Sequence, residues 1–118
     1  MRYLTESYIR SALNRNKSVE LFLGGDGETI QWISLRLEGE NVHVFHFHVE
    51  DPGDQDYLDV YTFAPVDENN YEGTLTEFYS IRTALDFCSE KHGAHANHFV
   101  NEFMVQDEYR DYLENKNN

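Results

Sequence analysis

Between Val42 and Phe63, apolar and polar residues alternate in two arms, VHVFHFHVE and YLDVYTF, joined by DPGDQD. A two-residue period sends successive side chains to opposite faces of an extended chain, so each arm reads as a half-buried strand. Pro52, Gly53 and the Asp residues beside them are turn formers with little strand preference. The same period runs through residues 19–23 (VELFL) and through Thr29–Glu38 (TIQWISLRLE). In the longer of these, Ile33, Leu35 and Leu37 share one face, and Ile30, Trp32, Ser34 and Arg36 the other. Gly24, Gly25 and Gly27 make the first turn, and Gly39 to Asn41 make the next. Four strands with short connections, the last over residues 57–63, predict an antiparallel meander.

Helical spacing flanks this region. Thr5 is placed to cap a first helix carrying Tyr8, Ile9, Ala12 and Leu13 on its apolar stripe. Thr74 and Glu77 have the spacing of a capping box, which predicts a second helix starting at Thr74. Its inward residues are Leu75, Phe78, Ile81, Leu85 and Cys88, and Gly93 stops it. A last helical segment is expected over about residues 97–115, broken near Gln106. Phe99, Val100, Phe103, Met104, Tyr109, Tyr112 and Leu113 face inward there. The order predicts an α+β domain spanning residues 1–118. One N-terminal and two C-terminal helices pack on one face of the four-stranded meander. A chain of 118 residues can bury roughly two-thirds of its unfolded surface without covalent staples.

The formal charge is −13, and its distribution is uneven. Residues 50–77 hold nine Asp or Glu and no Lys or Arg, so −9 of the −13 falls in that segment. Such a balance argues against nucleic acid and anionic membranes as partners, because their phosphates are repelled. It suits a basic protein. The single cysteine, Cys88, permits no internal disulfide and fits a reducing compartment. No apolar run has the length of a signal peptide or a membrane span, so a cytoplasmic location is expected.

Two features compete as functional sites. In the predicted strand over residues 57–63, Leu58 and Val60 take one side, leaving Tyr57, Asp59 and Tyr61 outward. Asp51, Asp54 and Asp56 precede this row, and Asp67, Glu68 and Glu72 follow it. Carboxylates accelerate encounter with a cationic partner, and tyrosines supply anchoring area. These nine residues form the candidate partner-binding surface; the plainer alternative is a solvated acidic loop. The histidines fall into two groups, His43, His46 and His48, then His92, His95 and His98. His46, His48 and Glu50 share one strand side, and two imidazoles with a carboxylate suit zinc, manganese or iron. That is the alternative reading, a metal-dependent enzyme or metal-binding module. Against it, there is no HExxH and no paired CxxC, and if His46 and His48 sit near carboxylates, raised pKa values are expected rather than ligation.

No catalytic residue is assigned and no cofactor is called for. Cys88 lies on an apolar helix face, as a buried structural thiol does. The GGDG run of residues 24–27 precedes a strand rather than a helix and carries an acid, which is poor chemistry for a phosphate cradle. The small size, the acidity, the hairpin VELFLGGDGETIQWISL and the later TLTEFYSIRTALDFC together resemble the immunity proteins that bacteria pair with toxins of contact-dependent inhibition or type VI secretion. That resemblance implies stoichiometric neutralisation of a cognate toxin, often a basic nuclease, without catalysis. It carries over no residue-level role.

Overall fold

The computed structural model describes residues 2–116. Its frame is a five-stranded antiparallel sheet in the order β4-β3-β2-β1-β5. The strands are β1 (Val19–Gly25), β2 (Thr29–Glu38), β3 (Asn41–Glu50), β4 (Thr74–Phe78) and β5 (Val100–Asn101). Three helices accompany them: α1 (Glu6–Asn14), α2 (Ile81–His92) and α3 (Val105–Lys116). β2 and β3 form the long central hairpin, in register from Thr29↔Glu50 to Glu38↔Asn41. The β1–β2 turn is fixed by Asp26, whose Oδ1 accepts from the backbone N–H of Glu28 (2.9 Å) and Thr29 (2.8 Å).

Alternation along the strands gives the sheet two different faces. On the first, Val19, Leu21, Ile33, Leu35, Val42 and Val44 meet Ile9, Ala12 and Leu13 of α1 and Ala84, Leu85 and Cys88 of α2. On the second, Ile30, Trp32 and Val49 meet Val105, Tyr109 and Leu113 of α3. Val60 and Phe63 complete that second cluster. The expectation that all three helices share one face is therefore corrected: α1 and α2 cover one side and α3 the other. The apolar residues Ile30 and Trp32 on the second side of β2 require such a cover, because apolar area left in water forfeits its burial energy.

Two further expectations are corrected. Residues 57–63 are not a strand. An isolated bridge joins Asp54 to Tyr57, and Val60–Thr62 makes one 3-10 turn. The segment crosses the second face and buries Val60 and Phe63 there instead of pairing along the sheet edge. The fourth strand is Thr74–Phe78, where the capping-box spacing predicts a helix start. Glu77 reaches His43 of β3 across the sheet (2.7 Å) rather than a helix N-terminus, and Leu75 is exposed. The second helix starts at Ile81, capped by Ser80, whose Oγ accepts from Thr83 N–H (3.1 Å). Helix α1 is capped by Thr5, as its sequence indicates.

Candidate functional site

The acidic segment leaves β3 at Glu50 and rejoins the sheet at β4. Its start is tied to the β1–β2 turn by Asp51 N–H on Glu28 C=O (3.0 Å), and its middle is clamped to β3: Glu50 N–H donates to Ala64 C=O (2.8 Å), and Val66 N–H to His48 C=O (3.0 Å). Within it, Asp54 Oδ1 accepts from Asp56 N–H (2.8 Å), and Asp67 Oδ1 from Asn69 N–H (3.0 Å), the usual way Asp stabilises a turn. Two glycines let the segment lie close to the body. A Cβ on Gly53 would meet Tyr109 Cε2 and Tyr57 C=O, each at 2.7 Å. Gly73, at φ +83°, would bring a Cβ to 2.8 Å from the Phe47 ring. Tyr109 donates its hydroxyl to Asp51, tying the start of the segment to α3.

The nine candidate partner-binding residues are thus divided. Asp54, Asp56, Asp59, Asp67, Glu68 and Glu72 are exposed, and none takes part in an ion pair among the described residues. Asp51 is half-buried beneath Tyr109. The outward Tyr-Asp-Tyr row does not exist, because there is no strand to align it. Tyr57 is 40% exposed, with its ring edge against Phe63 and its hydroxyl 2.6 Å from Thr62 Oγ1. Tyr61 turns inward and donates to both oxygens of Glu20, at 2.7 and 2.9 Å. The most exposed tyrosine of the segment is Tyr71, at 75%.

Glu20 is not among the residues that the sequence pattern singles out. It is 3% exposed and is the one charged side chain buried among the described residues. Besides Tyr61 it accepts from the backbone N–H of Val105 (3.2 Å), in the first turn of α3, and Phe103 N–H adds to the set. Burial raises the Glu20 carboxyl above the usual range, opposed by these donors. Desolvation, together with the bond to Glu20, raises the Tyr61 hydroxyl. Phe103, in the turn between β5 and α3, has φ +72° and is 66% exposed, a conformation bulky residues rarely adopt. Its ring meets Tyr61 edge-on at 5.9 Å. The isolated acid in VELFL is the signal that could have found Glu20, since an inward charge in an apolar strand demands a partner.

The histidines disperse. His46 Nε2 donates to Gln31 Oε1 (2.8 Å), while its ring stacks on His92 at 4.4 Å. His48 Nε2 lies 3.0 Å from Thr29 Oγ1, and His43 is on the opposite face with Glu77. The expected rise in the His46 pKa is corrected: no carboxylate among the described residues acts on it, and burial, then the charges of His92, His48 and Lys91, pull it down to about 4. Glu50 makes no third ligand with His46 and His48: among the described residues no three His, Cys, Asp or Glu side chains converge as a metal site would require. Cys88 is fully buried, and burial pushes its thiol up to about 12. Among the described residues no helix is long and apolar enough to cross a membrane. No family model matches the chain, and neither a characterised protein nor a solved structure is detectably similar to it, so its function has to be argued from its own residues.

Proposed function

We propose that this chain is a stoichiometric protein inhibitor of the immunity type, which binds a cationic toxin domain in the cytoplasm through the acidic segment between β3 and β4. The observation that carries the reading is the set of six exposed carboxylates, Asp54, Asp56, Asp59, Asp67, Glu68 and Glu72, left without cationic partners among the described residues. Elsewhere among the described residues unpaired acids are scattered singly or in twos (Asp26 and Glu28, Glu40, Glu90, Glu114), and others are answered locally: Glu6 by Arg10 and Arg82, Glu102 by Lys17, Glu108 and Asp111 by Arg2. Unanswered charges on a segment held at its start and its middle are pre-organised. Little ordering entropy is then lost when a partner neutralises them. Their field steers a basic surface toward the site before contact. Tyr57 and Tyr71 add partly exposed ring area within the same segment.

The test takes as partner a basic domain sought in the product of an adjacent reading frame, purified separately and mixed with this protein. Replacing Asp54, Asp56 and Asp59 together by Lys is expected to slow association at least tenfold at low salt. It also removes most of the salt dependence, while the far-ultraviolet spectrum stays unchanged. Association indifferent both to those three charges and to ionic strength would overturn the reading.

A further inference from the structure

α3 covers only part of the second sheet face. Beside it an open trough of about 430 Å³ remains, floored by Trp32 and Ser34 and walled by Phe45, Phe47 and Tyr61. Glu20 and Glu72 reach it as well. The aromatic groups form a continuous ladder. Trp32 stacks on its cross-strand neighbour Phe47 at 4.2 Å, Phe45 follows at 6.4 Å, and Tyr61 stands edge-on to Trp32 at 5.2 Å. Arg36 also lines the trough and illustrates what this surface holds: its guanidinium sits 4.8 Å from the centre of the Phe45 ring. Arg36 pairs with Glu38 (2.9 Å), so the trough holds two carboxylates against one cation that is already paired. Among the described residues no ion pair involves Glu20 or Glu72.

We propose that this trough is the anchor pocket for one cationic side chain, an arginine above all, of the protein partner. The inference rests on the reading of the chain as an inhibitor of a basic protein, and it moves the anchor from the loop tyrosines to the sheet face. Three features select the occupant. Ring faces attract a planar cation, and a guanidinium stacks where a hydrated ammonium does not. The Tyr61 hydroxyl gives its proton to Glu20, and its oxygen, beside the Phe103 N–H, has a further lone pair that can accept from a guanidinium N–H, with the carboxylate behind it. Glu72, exposed at the mouth, meets the cation first. Glu20 also holds the Tyr61 wall through both its oxygens, so the same carboxylate positions the wall and supplies the charge. The strained, exposed Phe103 lies at the Tyr61 edge of the trough, where it can close over an inserted side chain.

Trp32 is the only tryptophan, so its fluorescence reports occupancy directly. The probe is the peptide acetyl-Ala-Arg-Ala-amide, with its citrulline counterpart as the uncharged isostere. The arginine peptide is expected to change Trp32 emission saturably, and the citrulline peptide to bind at least tenfold more weakly. Glu20→Gln, Glu72→Gln and Phe45→Ala are each expected to weaken the arginine peptide severalfold. Glu90→Gln, an equal charge change on the exposed side of α2, leaves it unaltered. Glu20→Gln disturbs α3 as well, so the pocket stands or falls on Glu72→Gln and Phe45→Ala, which do not hold that helix. A titration without a Trp32 response, or equal binding of the two peptides, overturns the pocket. It leaves the inhibitor reading intact if the adjacent-frame domain still binds with salt dependence. Conversely, a filled trough beside an indifferent acidic segment keeps the pocket and removes that reading.

Discussion

Cys88 and His46 lie in the same layer, between the first sheet face and α2, and both take their chemistry from it. A thiol held at about 12 ionises about a thousandfold less at pH 8 than one at its ordinary value of 9.0, and the core also bars reagents. Iodoacetamide is therefore expected to leave Cys88 unmodified in the native protein and to label it promptly in guanidinium; mass spectrometry reads both. His46 couples the fold to acid. In the folded chain it keeps its proton only below about 4, against 6.5 when unfolded. Between those values the unfolded chain binds more protons, so stability from this group is complete above pH 6.5 and is lost as pH falls toward 4. Glu20 works in the opposite sense: its raised carboxyl favours the folded chain as pH falls. The two are separated by comparison. Lowering pH from 7 to 4.5 is expected to reduce Tm by a few degrees less in His46→Gln than in the parent, and identical slopes would absolve His46.

Ser80 and Thr74 compete for the same role in the sequence, and only one of them holds it. A Thr-x-x-Glu spacing is also what a strand shows when Thr74 and Glu77 face opposite sides, and here Glu77 pairs with His43 across the sheet. Ser80→Ala removes the bond to Thr83 N–H and is expected to cost about 1 kcal/mol, or about 4 °C in Tm. Thr74→Ala, at an exposed strand end, is expected to stay within about 0.5 kcal/mol. The hairpins β1–β2 and β2–β3 are legible because alternation and turn residues agree there, and α1 because its cap and stripe agree. Residues 57–63 alternate just as well, but Val60 and Phe63 bury into the second face as parts of a loop, and local pattern does not say which surface an apolar residue will find. β5 is not legible because two residues carry no period. α3's side of the sheet is not legible either, because it depends on the parity of Ile30 and Trp32 against Ile33 and Leu35. For the site, the acids are legible by composition, whereas the direction of Tyr61 depends on Glu20, 41 residues earlier. Gly73→Ala joins these elements in one test. Its Cβ would press on Phe47 at a φ of +83°, so a loss of more than about 1 kcal/mol is expected by thermal melt, together with altered Trp32 emission through the stacked Phe47.

A molecule that places −9 of its −13 charge in one segment, with six of those exposed acids unanswered by a cation among the described residues, works against its own compactness. A fold selected for stability alone would disperse such charges or answer them, as Arg2 answers Glu108 and Asp111. The segment is instead pinned by backbone bonds at its start and its middle, by Tyr109 on Asp51 and by glycines that admit close approach, so the repulsion is borne by a scaffold that does not let it relax. That tension has a measurable consequence in the isolated protein. Exposed like charges within a Debye length, about 10 Å at 0.1 M, repel less as salt is added. Tm is therefore expected to rise by a few degrees between about 10 and 300 mM sodium chloride. Replacing Asp54, Asp56 and Asp59 together by Asn keeps the side-chain oxygen that caps the Asp54 turn while removing three charges. This variant is expected to melt higher than the parent at low salt and to lose much of the salt response. The same three charges are those whose reversal is expected to slow the partner, so a variant that gains stability and loses binding would tie both effects to one surface. A low-salt Tm unchanged by the substitution would mean that the acids are too far apart to repel, and hence too dispersed to steer.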